Sequence, residues 1–325
     1  CWEKTGNPPR HRIFAHSPHK ERSYTESEAG SVYREKRLMV RFKLSAFSDE
    51  YSPNLDSQIE GLLKNKVKMT ELRNIDGVNV SDLTPMQAMD VKKKLDACGI
   101  SVSAIGSPLG KIQITDPMDV HLEKLKQTCD TAEIMGCRRI RMFSFYIPDG
   151  KYDEYRNEVI DRIGRMLDIA ETYGLSLCHE NEKGIYGDTA ERCLDLLDAF
   201  DGRLGCVFDP ANFIQCGTEP FPHAYYMLAP YMNYMHIKDA HRNGTIVPAG
   251  MGVGCIPELL AVINNARTGD FILTVEPHLR VFDGLAALEG GVQHTAIGNT
   301  FATAEEAFAA AITATRNCFP RTAEV

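Results

Sequence analysis

The sequence predicts a single (β/α)8 barrel with a short N-terminal extension, and three observations predict it. From residue 40 onward, short β-rich runs alternate with amphipathic helical stretches, the mark of βα units around a parallel sheet, and eight units can be counted. Several runs, such as LSLCHE and FILTVE, are continuously apolar and close on a charged residue, as strands buried on both faces do. No G-x-G-x-x-G follows an early strand, which sets the doubly wound alternative aside. At 325 residues the chain exceeds the usual single core, but a barrel of this kind takes about 250 residues and tolerates extensions.

The elements follow in order. Strands are expected at Arg41–Phe47, Val67–Leu72, Ile100–Ile105, Arg138–Phe143, Leu175–Glu180, Leu204–Asp209, Tyr231–Ile237 and Phe271–Glu276. Between them DSQIEGLLKN, TPMQAMDVKKKLDACG and DPMDVHLEKLKQTCDTAEIMG keep apolar residues at three-and-four spacing. The second of these opens on Thr84-Pro85 and closes at Gly99, the stop and start chemistry of a helix. TAEEAFAAAITATRN closes the barrel domain, which is assigned to 39–325.

Residues 1–38 show neither periodicity nor the apolar core of a secretory signal. They are expected to be disordered or non-native, with folding and native translation starting near Met39; a lipid-modified Cys1 on a tether is the alternative.

Composition excludes several classes. Hydrophobic residues at 43% and charged residues at 25% place the chain among globular proteins. The net charge is -8, and residues 39–325 carry 28 basic against 39 acidic side chains. Such an acidic body argues against nucleic-acid binding, which needs clustered cations to neutralise phosphates. Ten cysteines are scattered singly, several in apolar runs where a thiol packs as a small hydrophobe. A reducing cytoplasm is expected. No run reaches the ~18 apolar residues of a membrane span.

Four successive strand ends offer metal ligands: Glu180, Asp209, His236 and Glu276. A lone acid at a strand end is more often an exposed end or a helix N-cap, and a lone histidine more often a satisfied one. Consecutive units of a barrel change that balance, because the C-terminal strand ends converge on one mouth. The oxygen-rich set with one imidazole suits a single divalent ion, Mn²⁺ favoured, with Mg²⁺, Co²⁺ or Zn²⁺ as alternatives, and the lack of cysteine speaks against structural zinc. Lys183, Lys238, Arg141 and His241 are candidate substrate-binding residues, weighed against plain solvated side chains.

The motifs HENEKGIYGDT, FDPANF, HIKDA and EPHL stand in an order that resembles the xylose isomerase-like barrel superfamily of sugar and sugar-phosphate isomerases and epimerases. ELR at Glu71–Arg73, IGSPLGK and IRMFSFY resemble one subgroup of it. The resemblance implies a metal-assisted proton transfer beside a carbonyl, through an enediolate of a small-molecule sugar or sugar phosphate, with Glu180 and Glu276 both ligating and moving protons. Asn212 stands where relatives often carry a ligating or substrate-contacting histidine; an amide there can donate to a substrate hydroxyl but ligates metal poorly. PAGMGVG resembles a glycine-rich turn that in relatives often bears an acid, absent here.

Three alternatives stay open. A keto-inositol or keto-sugar dehydratase would use the same enolate chemistry to expel a hydroxyl. An apurinic-site endonuclease of this barrel type would need further histidines and a basic surface. A sugar-binding barrel without turnover would keep the fold alone. A homo-oligomer is expected by analogy only.

Overall fold

A computed structural model describes residues 40–282, 296 and 301–323, so the expectations for residues 1–38 lie outside the described part. Eight parallel strands close into a barrel: β1 Val40–Ala46, β2 Met69–Leu72, β3 Ser101–Gly106, β4 Arg139–Met142, β5 Ser176–Glu180, β6 Gly205–Phe208, β7 Met232–Ile237 and β8 Gly269–Val275. Each neighbours the next in sequence, and β8 closes the ring on β1 in a seven-residue register from Val40↔Gly269 to Ala46↔Val275. The eight expected strands are all present, most of them one or two residues shorter. Asp209 and Glu276 stand one residue past the ends of β6 and β8.

That offset has a local cause. Both acids precede a proline, and a proline ring pushes the residue before it into extended backbone. Asp209 is extended at φ -113° and ψ 109°, and Pro210 begins the next helix at its first position. The strand therefore ends where the carboxylate begins to face the barrel mouth.

The helices around the sheet include α1 Leu55–Lys64, α2 Pro85–Ala97, α3 Met118–Met135, α4 Tyr152–Thr172, α5 Ala190–Ala199, α6 Pro210–Gln215, α7 Tyr225–Leu228, α8 Ile256–Ala266 and α9 Ala304–Asn317. Thr84 and Gln87 form a reciprocal capping box at the start of α2. The helix α9 buries Phe308 and Ile312, with Phe308 edge-on to Tyr51 at 5.5 Å. It thereby closes the outer layer as its periodicity predicts.

Two short ribbons were not expected. Asn74–Ile75 pairs with Val78–Asn79 across Asp76-Gly77, both left-handed, which is the Asp-Gly hairpin turn. Asp239–Ala240 pairs with Ile246–Val247 beyond β7.

The period of two along each strand places a second residue below each candidate ligand, deeper in the barrel. Cys178 lies below Glu180, Val207 below Asp209 and Tyr234 below His236. Cys178, Val207, Tyr234, Ala104 and Ile272 form one buried apolar cluster. The thiols of Cys178 and Cys206 are buried and free, as their apolar surroundings predict. This packed floor leaves chemistry only to the layer above it.

Candidate metal centre

The C-terminal ends of β5 to β8 bring Glu180, Asp209, His236 and Glu276 together, with one donor atom of each within 4.8 Å of all the others, every one buried. A divalent ion with ligand bonds of about 2.0–2.2 Å spans trans donors about 4.3 Å apart, so small inward movements would suffice to ligate it. Six buried carboxylates, Asp49, Glu50, Glu71, Glu180, Asp209 and Glu276, share this region with the cations Arg73, Arg141 and Lys238 and the imidazole of His236. The excess of acids suits a dication.

Each ligand candidate is held by a defined neighbour. Glu180 Oε1 accepts from Asn212 Nδ2 at 3.2 Å and lies 3.0 Å from His236 Nδ1. Asn181 pairs with the end of β6 twice, donating to the Asp209 carbonyl and accepting from the Asp209 N–H, both at 2.9 Å. Asp209 Oδ1 accepts from the Asn212 N–H at 2.9 Å, which caps α6. Its other oxygen, Oδ2, has no hydrogen-bond partner, and neither has Glu180 Oε2. Lys238 Nζ stands 3.0 Å from Asp209 Oδ2, and Arg141 Nη1 3.3 Å from Glu180 Oε2. These are charge contacts without hydrogen-bond geometry, so both oxygens keep lone pairs directed into the cluster. An N-cap and a ligand candidate thus share one aspartate, on separate oxygens.

The electrostatics follow from burial against charge. Burial alone would raise the Glu180 carboxyl, but the charges of His236 and Arg141 outweigh it and bring the pKa down to about 2. Burial would likewise lower His236, yet Glu180 and Glu71 raise it to about 10. For Asp209 burial wins over Lys238, helped by Glu276 and Glu180, and its carboxyl rises to about 7. Glu276 is held well below the ordinary carboxylate value: burial opposes this, and Lys238, His278, His236 and Arg73 overcome it. Without a metal, protons on His236 and Lys238 do the neutralising.

Among the other candidates, Lys238 is buried and its ammonium lies 2.7 Å from Glu276 Oε2. Arg141 is buried between Glu180 and the Ser107 carbonyl, with Nε lacking a hydrogen-bond partner. Asn212 is buried and holds Glu180 and the Asn181 carbonyl. Lys183 is half-buried on the loop after β5, where its backbone N–H donates to Glu182. His241 is exposed at the turn of the second ribbon, where its backbone N–H donates to the Thr245 carbonyl at 2.9 Å.

Sequence reasoning passed over an inner set of charges. Arg73 binds Asp49 through Nε and Nη2 at 2.8 and 3.0 Å and reaches Glu50 and Glu276 at 3.1 and 3.2 Å. Glu50 accepts from the His278 N–H at 2.6 Å, and burial lifts its carboxyl to about 8. His278 has a left-handed φ of 43°, so the chain turns sharply two residues after Glu276. Glu71 accepts from Tyr234 and lies on the far ring nitrogen of His236. A charge in the middle of a strand, in MTELR, was the signal.

The glycine-rich run after β7 has a structural explanation. The carboxylate of Asp239 accepts from the N–H groups of Ala240, Gly250, Gly252 and Gly254 at 2.9 to 3.0 Å. A Cβ on Gly252 would lie 2.2 Å from Asp239 Oδ1 and 2.4 Å from the Ala240 carbonyl. Glycine is therefore required for the loop to wrap an acid that the preceding strand supplies.

Comparison with known proteins agrees with this architecture. The family described as "Xylose isomerase-like TIM barrel" matches residues 67–296. The probable 3-DHS dehydratase AsbF of Bacillus anthracis superposes with a TM-score of 0.65 at 16% identity, covering 85% of this chain and 99% of its own. An IOLI protein with a bound zinc atom gives 0.65 at 18%, covering 85% and 97%. D-psicose 3-epimerase of Clostridium cellulolyticum H10, with D-tagatose, gives 0.62 at 15%, covering 85% and 99%. At these identities the likeness is one of fold. No curated protein matches the sequence.

Proposed function

Because the chain belongs to the xylose isomerase-like TIM-barrel family, we propose that it is a divalent-metal-dependent isomerase or epimerase of a small sugar or sugar phosphate, with Glu180, Asp209, His236 and Glu276 as the metal ligands. The carrying observation is the buried four-donor cluster with two carboxylate oxygens, on Glu180 and Asp209, that face cations but accept no hydrogen bond among the described residues. Among solved relatives of this fold, one holds zinc and others are sugar epimerases. Mn²⁺ is the ion this reading favours, on the oxygen-rich donor set.

When bound, the ion would polarise a carbonyl and steady the negative charge that develops as a neighbouring C–H is broken. The residues of this chain do the rest. Glu180 and Glu276 come from β5 and β8 and reach the cluster from different sides, so one can take a proton from a carbon and the other return one. Return to the opposite face gives epimerisation, and return to the adjacent carbon gives isomerisation. Lys238 and Arg141 supply positive charge and N–H donors for substrate oxygens, while the apolar floor beneath keeps the reacting layer dry. Lys183 and His241 are assigned to the outer substrate contacts, and Asn212 to a hydroxyl contact as well as to holding Glu180.

Lys238 supports a second reading, a keto-sugar dehydratase, since a buried ammonium beside two carboxylates can give its proton to a departing hydroxyl. The free cysteines among the described residues fit the cytoplasm as the proposed location; among those residues no helix is long and apolar enough to cross a membrane.

The test pairs metal analysis of the wild type and the Glu180→Gln/His236→Ala variant with deuterium exchange into a panel of ketoses. About one ion per wild-type chain, lost in the variant, with label entering a carbon beside the carbonyl, is the expected outcome. An absorbing enone in place of label would select the dehydratase. Equal metal content in both proteins would remove the proposal. Glu276→Gln should lower turnover by orders of magnitude while a non-catalytic binder would keep its ligand.

A further inference from the structure

We propose that strand β2 and the residue that follows it, which supply no metal ligand, set the ligand geometry: Glu71 and Arg73 are positioning residues that orient His236 and Glu276. The inference rests on the metal reading above. Glu71 lies within β2 and Arg73 one residue past its end; both are essentially inaccessible to solvent, and their contacts to His236 and Glu276 place both side chains inside the barrel mouth. A register irregularity between β2 and β3 falls at Thr70/Glu71, the kind of local kink that re-aims a side chain.

Glu71 acts on β7. Its Oε1 accepts from the Tyr234 hydroxyl at 2.9 Å, and its Oε2 lies 3.1 Å from His236 Nε2. A carboxylate at Nε2 keeps a proton there, so that His236 could offer its Nδ1 lone pair to an ion held beside Glu180, Asp209 and Glu276. That is the carboxylate–histidine arrangement that fixes ring tautomer and orientation behind a ligating imidazole. Phe47, edge-on to the His236 ring at 5.2 Å, blocks rotation from another side.

Arg73 acts on β8. Its double contact to Asp49 and its stacking over Phe47 at 4.3 Å fix the guanidinium plane, so that Nη1 is aimed at Glu276 Oε1 at 3.2 Å. With Oε1 held, Oε2 is the oxygen left facing the cluster, 3.6 Å from His236 Nδ1. A lysine could not reproduce this, because one ammonium cannot hold Asp49 bidentately and still reach Glu276.

The experiment is calorimetric titration of Mn²⁺ into wild type, Glu71→Gln, Arg73→Lys and the double variant, with the visible spectrum of bound Co²⁺ as a readout of ligand geometry. Each single variant should bind Mn²⁺ about 10- to 100-fold more weakly with an altered Co²⁺ spectrum, and the losses should multiply in the double variant. Folded variants with wild-type affinity and spectrum would overturn the assignment and leave the metal site standing. A wild type that binds neither ion would bring down the metal reading and this one with it. Should the charged substitutions fail to fold, Tyr234→Phe decides: it loosens Glu71 alone, and unchanged Mn²⁺ affinity refutes the role.

Discussion

At the scale of the residue, Asp209 shows how one side chain can serve structure and the proposed chemistry on separate oxygens. Oδ1 caps α6, while Oδ2 faces the cluster without a hydrogen bond. Asparagine is as good an N-cap as aspartate but carries no charge, so Asp209→Asn should keep the melting temperature of the metal-free wild type and lose metal binding. Asp209→Ala should lose both, with a further ~1 kcal/mol of stability from the missing cap. Thermal melts beside metal titrations separate the two; equal Mn²⁺ affinity in Asp209→Asn and wild type would show that Oδ2 is no ligand. A pH effect follows as well. His236, raised to about 10, and Asp209, raised to about 7, both hold protons near neutrality, and ligands must shed them to bind metal. Mn²⁺ affinity should therefore rise as pH is raised from about 6 to about 8, with proton release visible as a buffer-dependent heat. A flat profile would contradict it. The four ligand candidates were legible in the sequence because each stands within one residue of a strand's C-terminal end and the barrel gathers strand ends. Glu71, Arg73 and Asp49 were not, since their function depends on which side chains meet across the barrel, and only the oddity of Glu71, a charge within a buried strand, hints at it.

At the scale of the element, strands and helices were legible through periodicity and capping, and the misses are instructive. The Asp76-Gly77 hairpin is two residues per strand, too short for alternation to register, although its turn chemistry is explicit in NIDGVN. The loop after β7 reads in sequence as a permissive turn, but its glycines are dictated by a carboxylate one element earlier. Gly252→Ala places a methyl against the Ala240 carbonyl and Asp239 Oδ1. We expect a loss on the order of 1–3 kcal/mol, read by chemical denaturation. Since Asp239 directly follows Lys238, turnover should fall too, and a variant as stable and active as wild type would mean that the loop is not pinned as described.

At the scale of the whole molecule, fold class, topology and acidic character were all legible, because eight repeated units average out local ambiguity. Substrate was not, since it is decided by mouth residues that follow no period. If the cluster holds the proposed ion, its surplus of buried acids should make the metal-free protein the less stable form. At a hundredfold excess over its dissociation constant, an ion adds about 2.7 kcal/mol. Adding EDTA to the loaded protein should lower the melting temperature by several degrees, and Mn²⁺ should restore it; an unchanged melt would count against a ligand set built into the fold.

The last strand lies between β7 and the first, so the ring is sealed by residues 269–275 with Glu276 just beyond them. A chain leaving the ribosome N-terminus first can assemble seven strands and three ligand candidates, yet it has no closed sheet and no fourth donor until its final fifth emerges. Synthesis thus imposes an order: the proposed four-donor set cannot be complete before the seam closes, and a chain truncated before that seam would lack Glu276.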